Sequence, residues 1–248
     1  MALDAGHGYN TPGKRTPDDE KEWSFNDVVV RYVIAGLKFY VGVEILRLDD
    51  PTGKTDTPLG TRTNQANNWK ADVLISFHKN ASKGEWGNHT GTETYIYPKT
   101  SKSRTLAEAI HPQIVKKLKL KNRGIRESDF HMLRESNMPA ILIESGYMDS
   151  RIDIVALRDE SRLRAIADGT VFGLVNYFGL IKKEVAGVSN TIQLTSGQQK
   201  AKDTLVKHGL MAANYEIKDS VDVRFITMLA PLLNKLEEKA HFNNCPAH

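Results

Sequence analysis

Short apolar runs alternate with amphipathic segments of helical period along the first 180 residues, and this alternation constrains the fold more than any other feature. The near-continuously apolar runs predict buried strands, and they are Ala2–Leu3, Val43–Leu48, Val73–Phe77 and Ala140–Ile143. The segment Thr92–Tyr97 alternates in polarity, which predicts one further strand at an edge of the sheet.

The segments between these runs repeat apolar residues every three or four positions. This period predicts helices around Phe25–Tyr40, Leu59–Trp69, Leu106–Leu118 and Leu163–Tyr177. Strands that alternate with helices favour an α/β domain with a mostly parallel twisted sheet and helices on both faces. We expect this domain to span residues 1–180.

The remaining residues predict a second, smaller unit. Residues 181–193 mix charged, glycine and serine residues without a sustained period, which is typical of a linker. Residues 194–248 predict a small, mainly helical domain, with one helix from Ser196 to His208 and a second that carries apolar residues from Phe225 to Leu236. A unit of this size needs further stabilisation, for which self-association is one source.

Composition limits the chemistry that this chain can support. Its single cysteine, Cys245, excludes an intramolecular disulfide and a cysteine-based zinc site, so a bound metal must lie on histidines and carboxylates. The absence of any apolar run of membrane-spanning length predicts no membrane insertion, and no secretory signal is expected. The net charge of +4 is interpreted as a solvated surface rather than a nucleic-acid site, because no aromatic residues are interleaved with the basic ones.

Polar residues follow three of the predicted strands where each strand ends. They are His7, His78 and Glu144, and they should converge because ligands bind at the carboxyl ends of parallel strands. Each histidine taken alone is better explained as an ordinary turn or strand-edge residue than as a ligand. Glu144 directly follows a buried run, where a carboxylate is costly unless a metal, a partner or a proton compensates it.

Glu22 lies at or just ahead of the first long helix and could complete a metal set with the two histidines. Two imidazoles and one carboxylate leave one tetrahedral position open, which is the arrangement of catalytic rather than structural zinc.

Four ordered motifs resemble those of the zinc-dependent N-acetylmuramoyl-L-alanine amidases of the third amidase family, which includes bacterial autolysins and phage endolysins. The motifs are Leu3–Gly8, Lys21–Asn26, Ser76–Ala81 and Met138–Met148, and the resemblance covers residues 2 to about 178. Four motifs in order are far more specific than any one alone.

The resemblance implies a ligand set and a reaction. His7, Glu22 and His78 match the ligands of one Zn²⁺ ion, and Glu144 matches the catalytic glutamate. The implied reaction is hydrolysis of the peptidoglycan amide between N-acetylmuramic acid and L-alanine. Zinc activates the attacking water while Glu144 takes its proton and returns it to the leaving amine.

The sequence departs from the family pattern at Lys79, which stands where the family usually has alanine, and we expect its side chain to point to solvent. Arg134 also matches the family pattern, and either orients substrate or forms a salt bridge. His131 is expected to be an exposed loop residue.

Two other functions remain open at this point. A zinc peptidase acting on stem peptides would use the same chemistry, although the chain has no H-E-x-x-H helix. A non-catalytic wall-binding module is less favoured because all four site residues are present. The pattern as a whole is typical of a phage or prophage endolysin of Gram-positive hosts that stays in the host cytoplasm until a holin releases it. Its C-terminal domain is then expected to bind a secondary wall polymer.

Overall fold

The structure is a computed structural model and describes residues 1–183 and 194–207. The chain divides into two compact units, Met1–Lys183 and Glu184–His248. In the first unit the described strands are β1 (Ala2–Ala5), β2 (Leu46–Arg47), β3 (Leu74–Asn80), β4 (Thr92–Ile96), β5 (Asn122–Glu127) and β6 (Ala140–Tyr147). Its described helices are α1 (Glu22–Leu37), α2 (Leu59–Asn68), α3 (Ser101–Leu118), α4 (His131–Arg134), α5 (Asp153–Leu157) and α6 (Glu160–Phe178).

The strands form one six-stranded sheet in the order β2-β1-β3-β6-β4-β5. All neighbouring pairs are parallel except β4 and β6, which are antiparallel. The prediction of an α/β fold with a mostly parallel sheet is therefore confirmed. The antiparallel pair is the part of the topology that the strand pattern did not indicate.

Three details of the strand prediction were wrong. β4 was expected at an edge, but it lies between β6 and β5. Strand β5 occupies the edge instead; it was missed because it is polar and its residues are only half-buried or exposed. The predicted strand Val43–Leu48 is also shorter in the structure, where only Leu46–Arg47 pairs with β1.

Helices cover both faces of the sheet because the strand residues alternate between two apolar cores. One core combines Leu3, Ile75 and Ile143 with the buried faces of α1, α3 and α6. The other core combines Leu74 and Leu142 with residues of α2 and α4. His78 and Glu144 continue the second face, because each lies an even number of positions beyond its buried leucine.

The described part of the second unit contains helix α7, Ser196–Lys207. It agrees with the predicted helix from Ser196 as far as the description extends. Most of the predicted linker and the second predicted helix lie outside the described residues. Among the helices of the described ranges, none is long and apolar enough to cross a membrane.

Candidate metal centre

Three neighbouring parallel strands and one helix position the predicted site residues. His7 follows β1, His78 lies in β3, Glu144 lies in β6 and Glu22 is the first residue of α1. His78 and Glu144 are register partners in the β3–β6 pair. The ends of adjacent strands thus bring these side chains to one edge of the sheet.

Glu22 lies between the two histidines. Its Oε2 is 3.3 Å from His7 Nε2, and its Oε1 is 3.1 Å from His78 Nδ1. The two imidazole rings are 4.8 Å apart and nearly perpendicular. One possible ligand atom from each of the three residues lies within 4.8 Å of the others.

These three residues fit a zinc ion by donor type, because histidine nitrogens and a carboxylate are common zinc ligands. The backbone around them also fits closely. A Cβ on Gly6 would lie 2.1 Å from Cε1 of His78, so only glycine allows this approach. His7 itself adopts a left-handed backbone conformation with φ of 70°, which is rare for a non-glycine residue and requires support from its surroundings.

Burial and mutual contact set the charges of the three residues. Burial lowers the pKa of His7 to about 4, although Glu22 opposes this shift. Burial also acts to lower the pKa of His78, but the hydrogen bond to Glu22 together with the negative charges of Glu22, Glu144 and Asp4 outweighs it, and the net shift is upward. Burial acts to raise the pKa of Glu22, but the two histidines hold it below its usual range. His7 is therefore neutral and Glu22 is anionic near pH 7, and these are the forms that bind metals.

Glu144 is not part of this cluster of ligands but lies beside it. Its Oε2 is buried and has no hydrogen-bond partner among the described residues. Burial raises the pKa of Glu144 to about 7, with His78 opposing and Glu22 adding to the shift. A carboxyl group that titrates near neutral pH is suited to accept and return a proton.

The expected orientation of Lys79 was wrong. Its side chain is only 2% exposed, and Nζ donates to Oδ1 of Asn26 at 3.1 Å. The reason is that β3 continues to Asn80, so strand alternation turns Lys79 away from the His78 face and towards α1. Burial lowers the pKa of Lys79 to about 8, and the nearby carboxylates Glu22 and Glu144 oppose this shift.

Arg62 of α2 is a site residue that the sequence interpretation did not single out. Its guanidinium is 1% exposed and donates to the carbonyl oxygens of Ala5 and His7 at 2.9 and 2.8 Å. It also donates to the Asp4 and Asp56 carboxylates and, through Nε, to the carbonyl oxygen of Thr57. The sequence did contain one signal for Arg62, because this arginine occupies a core-facing position in the apolar pattern of α2.

Arg134 and His131 do not join the cluster. Arg134 pairs with Asp129 at 2.8 Å and with Glu135 at 2.7 Å, which agrees with the salt-bridge alternative. His131 begins α4 and is half-buried rather than exposed, with Nε2 3.3 Å from Oγ1 of Thr63.

A mostly parallel sheet with a His–Glu–His cluster and an unpaired glutamate at its carboxyl edge defines a candidate metal-dependent hydrolase. A family model described as N-acetylmuramoyl-L-alanine amidase (Amidase_3) matches residues 1–176. The chain belongs to this amidase family, and the resemblance stated from the four motifs is confirmed.

Curated relatives and solved structures agree with this assignment. The chain is 33% identical to the sporulation-specific N-acetylmuramoyl-L-alanine amidase of Bacillus subtilis, over 75% of this chain and 71% of that protein. It is 32% identical to the endolysin of Bacillus phage SPP1, over 73% of this chain and 66% of that protein.

Among solved structures, the catalytic domain of the amidase CwlV from Bacillus (Paenibacillus) polymyxa is similar with a TM-score of 0.66 and 31% identity, over 73% of this chain and 98% of that one. An N-acetylmuramoyl-L-alanine amidase from Clostridium difficile 630 is similar with a TM-score of 0.65 and 35% identity, over 72% of this chain and 95% of that one. Both likenesses concern the larger part of this chain rather than its whole length.

Proposed function

We propose that this chain hydrolyses the amide bond between N-acetylmuramic acid and L-alanine in peptidoglycan, with one zinc ion held by His7, Glu22 and His78. The observation that carries the proposal is the cluster of these three ligands beside the unpartnered Oε2 of Glu144. Membership of the amidase family supports the choice of bond.

The chain's own residues account for the proton transfers. A zinc ion at the cluster supplies Lewis-acid polarisation of the scissile carbonyl and makes water a better nucleophile. Glu144 accepts the proton of the attacking water as the new C–O bond forms. It then gives this proton to the nitrogen of L-alanine as the C–N bond breaks, which yields a free amine and a lactyl carboxylic acid that releases the second proton of the water to solvent.

Metal analysis of the purified protein tests the ligand assignment. We expect about one zinc per chain in the wild type, and loss of both the metal and wall-lytic activity in a His78→Ala variant. His131→Ala is a suitable control because His131 lies outside the cluster, and it should retain zinc. A His78→Ala protein that keeps its zinc and its activity would contradict the assignment.

We further propose that the chain is a phage or prophage endolysin that waits in the host cytoplasm and reaches the wall after a holin opens the membrane. Similarity to the endolysin of Bacillus phage SPP1 supports this role. Induced expression of the chain in a Gram-positive host should cause lysis only when a holin is induced with it. Lysis at the same rate without a holin would contradict the proposed route.

The C-terminal unit is proposed to bind a secondary wall polymer. A fluorescent fusion of the full chain carrying Glu144→Gln should decorate Gram-positive walls, and the same fusion ending at Lys183 should decorate them weakly. Equal decoration by the two fusions would exclude a wall-binding role for the C-terminal unit.

A further inference from the structure

A row of charged side chains extends from the candidate metal centre across four neighbouring strands. His78 of β3 is in register with Glu144 of β6, and Glu144 is in register with Glu93 of β4. Arg123 of β5 then donates through Nε to Oε1 of Glu93 at 2.5 Å. Because register partners of adjacent strands share a face, this row lies on the face that carries the site.

Glu93 anchors the outer part of this row. It is 2% exposed, and its Oε2 accepts hydrogen bonds from Tyr95 at 2.6 Å and from Asn80 at 3.1 Å. Arg126 lies on the same face, as the register partner of Tyr95, with its Nε 3.5 Å from Oε1 of Glu93. One carboxylate thus faces two guanidinium groups, and this end of the row carries an excess of one positive charge.

The two arginines retain unused donors. Their side chains are 28% and 48% exposed. The hydrogen bond from Arg123 to Glu93 is made by Nε, and Nε of Arg126 donates to the carbonyl oxygen of Arg123 at 3.4 Å. Within residues 1–183 and 194–207, no side-chain or backbone acceptor is bonded to the Nη groups of either arginine. Arg62, by contrast, uses all three of its nitrogens. A guanidinium with free Nη donors binds carboxylates strongly and with defined geometry.

We propose that Arg123 and Arg126 form a subsite that binds a carboxylate of the peptidoglycan stem peptide. The inference rests on the proposed amidase function, and it identifies the part of the substrate that these two arginines bind. Strands β3 and β5 are three strand spacings apart, or about 14 Å. An arginine side chain that leans inward covers part of this distance, and two to three extended residues cover about 7–10 Å.

Stem peptides carry carboxylates at this distance from the scissile bond. One belongs to the D-glutamate at the second position and is absent where that residue is amidated to D-isoglutamine. Another belongs to the third residue when that residue is a diamino acid with a second carboxyl group. Both present the same chemistry to the subsite, and the choice between them is a matter for experiment.

Hydrolysis of defined disaccharide–tripeptides tests the subsite. One substrate pair differs only in D-glutamate or D-isoglutamine at position two, and a second pair differs only in amidation of the third residue. We expect the wild type to prefer the free carboxylate of one pair by about ten-fold in kcat/KM, mainly through KM, because amidation removes the negative charge and replaces one acceptor oxygen by an NH₂ group. Preference in the first pair assigns the subsite to position two, and preference in the second pair assigns it to position three.

The Arg126→Gln variant should lose most of the preference for the free carboxylate, while its melting temperature stays close to that of the wild type. Arg104→Gln is the matched control, because Arg104 is also an exposed arginine but pairs with Glu127 from helix α3. Its substrate preference should not change. If Arg126 had a purely structural role, Arg126→Gln would change the rates on all substrates alike, and the ratio of kcat/KM between the free and amidated substrates would stay the same.

Equal hydrolysis of the free and amidated substrates by the wild type would overturn the subsite while leaving the amidase function in place. Hydrolysis of none of the four substrates would instead overturn the amidase function. Calorimetric titration of the same substrates into a Glu144→Gln variant then decides the subsite separately. Tighter binding of a free carboxylate supports it, and equal binding refutes it.

Discussion

Lys79 and Asn26 form a buried hydrogen bond of 3.1 Å that links the strand of one predicted metal ligand to the helix of another. Lys79 follows His78 in β3, and Asn26 lies one helical turn after Glu22 in α1. Asn26 also donates through Nδ2 to the carbonyl oxygen of Gly6 at 3.2 Å, next to His7. The three segments that carry the ligands are therefore joined through one asparagine side chain.

Removal of the Lys79 side chain should destabilise this arrangement. In Lys79→Ala, Oδ1 of Asn26 loses its buried donor, and we expect the free energy of unfolding to fall by about 1–3 kcal/mol. Denaturant unfolding measures the change. Lys102→Ala, at an exposed position of α3, is the control and should stay within about 0.5 kcal/mol of the wild type. Equal stability of the Lys79→Ala and wild-type proteins would show that the bond contributes little.

Gly6→Ala should disrupt the metal centre. The added Cβ would lie 2.1 Å from the His78 ring, so the ring or the His7 loop must move. We expect zinc affinity, measured by chelator competition, and wall-lytic activity to fall by at least about ten-fold. Gly60→Ala is the matched control because a Cβ there has nothing within 4 Å, and it should retain both. A Gly6→Ala protein with wild-type zinc affinity would contradict the described packing.

Arg62→Ala should be among the most destabilising single changes in the larger unit. It leaves Asp4 as a buried carboxylate without its cation and frees the carbonyl oxygen of His7. Breaking a buried ion pair costs about 3–5 kcal/mol, and chemical denaturation should show a loss of this size. Arg104→Ala removes only an exposed ion pair and should cost under about 1 kcal/mol. Similar losses in the two variants would be inconsistent with the role assigned to Arg62.

His111 should make stability sensitive to mild acid. It is 3% exposed, its Nε2 donates to Oδ1 of Asn122 at 2.8 Å, and its Nδ1 lies 2.9 Å from the hydroxyl of Thr94. Burial lowers the pKa of His111, with the Asn122 hydrogen bond opposing. The unfolded chain therefore binds a proton on His111 below about pH 6.5 before the folded chain does. Its contribution to stability is present above that pH and is lost as the pH falls towards the folded pKa.

The measurement for His111 is the free energy of unfolding between pH 7 and pH 5. The wild type should lose more stability than His111→Gln over this interval, so the difference between the two proteins should narrow on acidification. If the free energies of unfolding of the two proteins changed in parallel with pH, His111 would have the same pKa in the folded and unfolded states.

The sequence predicted β1, β3 and β6 because continuous apolar runs directly reflect burial on both faces of a sheet. Since these strands are adjacent and parallel, the convergence of His7, His78 and Glu144 followed from the pattern. The position of Glu22 could not be derived in this way, because it depends on how the loop before α1 returns to the sheet. Its inclusion came from the family resemblance.

Other features depend on partners that the local pattern does not identify. Strand β5 was missed because Arg123 and Arg126 make it polar, although they lie beside the buried carboxylate of Glu93. The burial of Lys79 could not be predicted from the local pattern, because it depends on the continuation of β3 past Phe77 and on the position of Asn26 of α1 opposite Lys79. Arg62 donates to carbonyl oxygens at and just after the end of β1, more than fifty residues away along the chain, and no local pattern contains these partners.

The bond that is cleaved tests the account most directly. Purified peptidoglycan should be digested with the wild-type protein and with a Glu144→Gln variant, and the products analysed by mass spectrometry. We predict that the wild type releases stem peptides with new L-alanine amino termini and that the variant is slower by at least about a hundred-fold. New reducing sugar ends without free L-alanine amino termini, or cleavage only within the stem peptide, would contradict the proposed amidase.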